Sequence, residues 1–167
     1  MISTAVAERA VPIPEGVQVE VNGRFVSVKG PKGALAKNLG HMPVDILVKS
    51  GNVVVYSNWP RKKETSLVGT AAASIKNMIR GVTKGFVYKL KVVYAHFPVT
   101  VKVLEREKKI LIENFTGEKT ARFARIVGDV KVTASGDEIV VQGIDLEAVS
   151  QTAANIEQAT TVKKRDP

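Results

Sequence analysis

The same order of hydrophobic patterns is laid down twice along this chain, and an internal duplication constrains a fold more tightly than any single motif. In the first half, Val17-Gln18-Val19-Glu20-Val21 alternates apolar and polar residues, the period of a half-buried strand. Phe25 to Lys29 repeats that pattern after Asn22-Gly23, a pair suited to a tight hairpin. Gly30-Pro31-Lys32-Gly33 supplies a second turn, with proline where φ near about −65° is wanted and glycine where positive φ is expected. Two further strands, Val44 to Val48 and Val53 to Tyr56, flank Ser50-Gly51-Asn52. The period then changes: between Lys63 and Val82, the residues Val68, Ala72, Ile75, Ile79 and Val82 recur at spacings of 4, 3, 4 and 3, one face of a helix.

The second half answers each step. Val99 to Val103 alternates, Lys109 to Ile112 follows, and Phe115-Thr116-Gly117-Glu118-Lys119 forms a turn where Gly30 to Gly33 stood. Val130 to Thr133 and Ile139 to Val141 flank Ala134-Ser135-Gly136-Asp137. Asp145 is placed to cap a closing helix, with Glu147 in its first turn and Leu146, Val149, Ala153 and Ile156 spaced at 3, 4 and 3. Ala71 to Ile75 lies over Thr152 to Ile156. The expected architecture is α+β: a duplicated two-domain fold, residues 1–82 and 83–167, each domain a small antiparallel sheet packed by one α-helix.

Between the halves lies a stretch reading as a long strand, Tyr88 to Tyr94, with Lys89 and Lys91 on one face and Tyr88, Leu90 and Val92 on the other. It gains meaning from the charge of the whole. The net charge is +9 and the pI near 9.8, with +6 in residues 1–82 (11 basic, 5 acidic) and +3 in residues 83–167 (14 basic, 11 acidic). These charges are interleaved with apolar residues at strand spacing, so they decorate a folded surface and point to a polyanion, RNA or DNA, as partner. A second reading, a basic interaction module docking an acidic protein, uses the same faces.

Catalytic chemistry finds little support. With no cysteine there is no disulfide, thiolate nucleophile or thiolate metal site. His41 and His96 stand in no metal-ligating or nucleophile-elbow spacing, and the pairs Glu105/Glu107 and Asp137/Glu138 read as solvated carboxylates. Gly81-Val82-Thr83-Lys84-Gly85 follows a helix rather than joining a strand to one, which removes it as a nucleotide loop. No catalytic residue, metal site, cofactor or small-molecule substrate is expected. Met1 to Pro14 lacks a basic segment followed by a long apolar run, and no stretch approaches the roughly 18 apolar residues of a membrane span, so a cytoplasmic protein with no membrane partner is expected.

Three basic clusters carry the binding expectation. Arg61-Lys62-Lys63 stands at the start of the first helix, where cations oppose the helix dipole and a docked phosphate would relieve the conflict; a solvated linker before a helix starting at Thr65 or Ser66 is the plainer alternative. Lys119, Arg122 and Arg125, spaced at three, suit phosphate contact from a loop or extended arm. Lys163-Lys164-Arg165 lies past the closing helix.

Val28 to Gly33, Asn77 to Phe86, Tyr94-Ala95-His96-Phe97-Pro98-Val99 and Ala148 to Thr160, in that order and spanning essentially the whole chain, closely resemble the large-subunit ribosomal protein L-six family. The C-terminal helix and Lys163-Lys164-Arg165-Asp166 resemble the archaeal and eukaryotic branch, the eukaryotic L-nine type; the Tyr-Lys-Gly-Lys-Gly kind of ending found in bacteria is missing. The resemblance implies a structural constituent of the large ribosomal subunit that binds large-subunit rRNA, chiefly through the second domain. It implies a place near the stalk base and the factor-binding region, with neighbouring ribosomal proteins as further partners. Carried onto this chain, it implies RNA contact by Lys84, Tyr88, Lys89 and Lys91, by His96 and Phe97, and by the Lys119 to Arg125 arm; Lys32 is first a turn residue and second an RNA contact. On that expectation, replacing Arg122 and Arg125 together weakens RNA binding without lowering stability.

Overall fold

The computed structural model describes residues 6–162. The chain divides into two compact units, Met1–Gly85 and Phe86–Pro167. The first holds strands β1 (Val6–Pro12), β2 (Gln18–Asn22), β3 (Phe25–Gly30), β4 (Gly33–Asn38), β5 (Asp45–Lys49) and β6 (Asn52–Asn58), then helix α1 (Lys62–Thr83). All pairings are antiparallel, in two three-stranded sheets ordered β1-β6-β5 and β2-β3-β4. The hairpin at Asn22-Gly23 sets Val19 opposite Val28 and Val21 opposite Val26, so the alternating valines share one face. Val26 and Val28 on that face, and Val53 and Val55 on β6, are fully buried in one core, each such side chain worth about 1.5–3 kcal/mol.

Helix α1 lays Val68, Ala72, Ile75, Ile79 and Val82 on this core, joined by Ala71 and Met78. The Gly30–Gly33 turn docks on its C-terminal end, where the Lys32 N–H donates to the Val82 carbonyl at 2.9 Å. A Cβ on Gly30 would stand 2.7 Å from Val82 Cγ2 and 2.9 Å from that carbonyl oxygen, so only glycine allows the approach. Gly33, at φ 147°, is the one that uses positive φ.

The second unit repeats the plan with β7 (Phe86–Lys91), β8 (Thr100–Leu104), β9 (Lys109–Glu113), β10 (Arg122–Arg125), β11 (Lys131–Ser135), β12 (Glu138–Gly143) and α2 (Leu146–Ala159). Its sheets, β7-β12-β11 and β8-β9-β10, match those of the first unit position for position. The fold is thus α+β and duplicated, with the strands of each half shared between two small sheets under one helix. Ile110, Ile112, Ile139, Val141, Val149 and Ile156 form the centre of the second core. Asp145 caps α2, accepting the Glu147 N–H at 3.0 Å. Thr152, fully buried, donates its hydroxyl to the Ala148 carbonyl (2.8 Å) and accepts the Val127 N–H (3.0 Å), leaving neither the hydroxyl nor that amide unpaired.

Four local expectations change. Residues 6–12, within the Met1 to Pro14 stretch whose sequence shows no strand alternation, form β1, paired along the full length of β6. Only Val11 of that strand is buried, which is why the stretch carries so little apolar signal. Gly33–Asn38 is likewise a strand, β4, on an edge and half-exposed. The strand expected from Tyr88 to Tyr94 runs from Phe86 to Lys91, because its single partner, β12, begins at Glu138 opposite Lys91. A last bond from the Val92 N–H to the Asp137 carbonyl, 2.7 Å, closes the pairing and the chain leaves the sheet. Finally, α1 starts at Lys62 rather than Thr65 or Ser66, so the basic run belongs to the helix and not to a linker.

Candidate nucleic-acid interface

In the second unit the strand period turns Lys89 and Lys91 outward with Val87, while Phe86 and Leu90 turn toward the core. Tyr88 shares the core-side parity, opposite Val141, yet remains 38% exposed. Lys89 is not wholly free for a partner: its ammonium meets Glu138 at 3.3 Å across the strands. Both side chains are more than half exposed, so that pair is readily exchanged for a phosphate.

Past Lys91 the loop 92–98 exposes Val93, Tyr94, His96 and Phe97. It is nonetheless anchored. The Asn114 amide donates to the Pro98 carbonyl at 3.0 Å, and the Phe97 ring lies against Gly117, where a Cβ would come within 3.1 Å of it. The underlying turn is strained: Asn114, Thr116 and Gly117 all have positive φ (59°, 50° and 73°), a conformation that costs a non-glycine residue about 1–3 kcal/mol. The expected sites at 96–97 and 119–125 are therefore joined through this turn, with Lys119 exposed just beyond it.

The arm itself is a strand. Arg122–Arg125 forms β10, and Arg122, expected to meet a phosphate, makes a bidentate contact inside the protein. Its Nε donates to Glu118 Oε2 (2.9 Å) and its Nη2 to Oε1 (2.7 Å), while Nη1 reaches the carbonyls of Ala159 and Thr161, both at 2.9 Å. The guanidinium also stacks over Phe115, 4.5 Å from the ring centre. The Glu118 hydrogen bond first, and its charge besides, raise the Arg122 pKa against the cost of desolvation. Only 19% of this side chain is exposed. Arg122 thus ties the end of α2 to the β9–β10 turn, contacts that speak for a structural role beside the expected RNA contact.

Arg125 differs, being exposed on the outer face of β8-β9-β10 directly opposite Lys109. Two like charges across a ladder repel. Between them and the turn stands Phe123, 58% exposed, with the Lys109 ammonium 5.9 Å from its ring centre. Lys109 and Phe123 complete a mixed aromatic and basic face that the sequence reading passed over; the signal was the alternation Phe123-Ala124-Arg125, with Ala124 buried and its neighbours out.

In the first unit, Lys32 and Lys84 lie at the C-terminal end of α1, where cations suit the dipole, and Lys84 is its C-cap. Arg61, Lys62 and Lys63 are exposed at the opposite end. Twenty-two helical residues separate the two groups by about 33 Å, so they meet different parts of any partner. Lys163, Lys164 and Arg165 lie outside the described residues. Among the described residues, no group of three or more His, Asp or Glu side chains is arranged to hold a metal, and no helix is long and apolar enough to cross a membrane.

The family model described as "Ribosomal protein L6" matches residues 13–85 and 97–167. Among similar proteins, "Large ribosomal subunit protein uL6" of Methanothrix thermoacetophila is 51% identical over 158 residues, covering 95% of this chain and 89% of its own length. The protein of the same description from Staphylothermus marinus is 50% identical over 158 residues, 93% of this chain and 85% of its own length. That of Methanobrevibacter smithii is 47% identical over all of this chain and 93% of its own length. Two matched repeats coincide with two repeated halves of one fold, and the chain belongs to the ribosomal protein L6 family.

Proposed function

We propose that this protein is a non-catalytic structural constituent of the large ribosomal subunit, working in the cytoplasm, and that it binds large-subunit rRNA chiefly through residues 86–167. The observation that carries the RNA reading is the set of exposed cations and aromatics in that unit, Lys91, Lys119 and Arg125 together with Tyr88, Phe97 and Phe123. Cations of this kind neutralise phosphates, while aromatics beside them stack on unpaired bases or pack on sugars. Phe97, held against the strained 114–117 turn, sits on a loop anchored at Pro98 and is presented with His96 beside it, which reduces the entropic cost of the contact. Lys84 and Lys32 at one end of α1, and Arg61, Lys62 and Lys63 at the other, add contacts from the first unit. Family membership supports a position near the stalk base and the factor-binding region, among neighbouring ribosomal proteins, as part of this proposal.

The test is a titration of the protein with deproteinised large-subunit rRNA across a range of salt. Phosphate neutralisation predicts that log K falls by several units per log unit of salt, since each phosphate neutralised adds about 0.7–0.9 to the slope. A flat salt dependence contradicts the reading. Capture of an acidic protein that survives nuclease, with no affinity for the RNA, would put the interaction-module reading in its place.

A further inference from the structure

We infer that Trp59 is a stacking platform for an unpaired RNA base, with Arg61, Lys62 and Lys63 gripping the phosphates that flank it. This rests on the reading of the protein as RNA-binding and adds to it a base contact in the first unit. Trp59 is the sole tryptophan of the chain and is 76% exposed. An indole is a large apolar group that cores and interfaces normally claim, so leaving it in water forfeits much of its value to the fold. The backbone holds it there. Trp59 follows the last residue of β6 with φ at 49°, a left-handed conformation that is a true outlier for a bulky side chain, and Pro60 then fixes the path into α1.

The surroundings select the partner. Asn58, Arg61, Lys62 and Lys63 are all exposed, so the residues on either side of the indole are mainly polar and cationic, with exposed Val6, opposite Asn58, and Pro60 too small an apolar surround for a protein-docking patch. Glu64, the one acidic residue in the first turn, has a carboxylate oxygen fully buried, which leaves the outer surface of that turn dominated by positive charge. An exposed aromatic face beside closely spaced cations matches a nucleotide on both counts: base on ring, phosphates on cations. Stacking of this kind reads no particular sequence, because every base has a π-face.

Because the chain has one tryptophan, its emission reports this contact alone. The full-length protein is titrated with deproteinised large-subunit rRNA while intrinsic fluorescence and binding are followed together. The expected result is quenching in step with binding, an affinity for Trp59→Ala weaker by about 5- to 100-fold, and recovery of most of that loss in Trp59→Phe. Thermal melting of each variant separates lost stacking from lost folding, and protection of the wild-type indole from iodide by bound RNA tests the contact without any substitution. Tight binding with unchanged emission and unchanged affinity in Trp59→Ala overturns the inference and leaves the RNA reading standing. Absence of RNA binding by the wild type overturns both. An emission change produced by a ribosomal protein fraction, persisting after nuclease, assigns the ring to a protein partner and overturns the inference.

Discussion

The two halves share one topology but fasten their helices by different means. In the first unit α1 is long and held by apolar packing along Val68, Ile75, Ile79 and Val82, with the Gly30–Gly33 turn pressed against its end. In the second, α2 is eight residues shorter (14 against 22) and adds polar ties to its apolar packing through Val149 and Ile156. Asp145 caps its start, Thr152 and Asn155 hold the chain at Val127 and Arg125, and Arg122 clasps the carbonyls at its end. The helix N-termini differ in the same sense. Each has one acid in its first turn, Glu64 and Glu147, but α2 starts on an acidic side-chain cap, Asp145, whereas α1 begins on Arg61, Lys62 and Lys63 with no side-chain cap. The lesson is that a basic residue on this surface is either spent on the fold or left for a partner, and contacts alone tell which.

Substitutions can break that comparison from its strongest point downward. Arg122→Ala strips Glu118 and two carbonyls of their donor in a mostly buried setting, and a loss of about 3 kcal/mol is expected in chemical denaturation. Gly30→Ala forces a Cβ onto Val82 and is expected to cost about 2 kcal/mol by overpacking; no loss would mean that the turn is free to back away from α1. Thr152→Val leaves the Val127 N–H without its acceptor, with an expected cost of about 1–2 kcal/mol read from the same unfolding curves. At the small end, Lys62→Glu removes a charge that opposes the α1 dipole and is expected to raise stability by about 0.5 kcal/mol while weakening rRNA binding. Gains in both would show that the run serves no polyanion.

The duplication, the helix faces and the Asp145 cap were legible because each rests on a local period or a single residue type. The edge strands were not. In β1 the sequence Val6-Ala7-Glu8-Arg9-Ala10-Val11-Pro12 buries one side chain, and a strand that buries so little leaves no alternation to read. The repeat itself held the missing signal: β7 opens the second half, and its counterpart in the first half had to lie before Val17. The internal contacts of Arg122 were hidden for another reason. Its spacing from Lys119 and Arg125 resembles a phosphate-binding arm, but the Ala159 and Thr161 carbonyls that occupy it are 37 and 39 residues away, beyond the reach of any local pattern. Glu118, four residues before it, was the one nearby hint.

The division between fold-bound and partner-facing cations is tested most directly by measuring thermal stability and the salt dependence of rRNA binding side by side for Arg122→Ala and Arg125→Ala. The expected result is that Arg125→Ala melts as the wild type does but binds more weakly, with a salt slope reduced by about 1, while Arg122→Ala melts markedly lower and keeps the wild-type slope wherever it remains folded. An Arg122→Ala protein of unchanged stability and reduced slope, or an Arg125→Ala protein that loses stability without losing affinity, would contradict it.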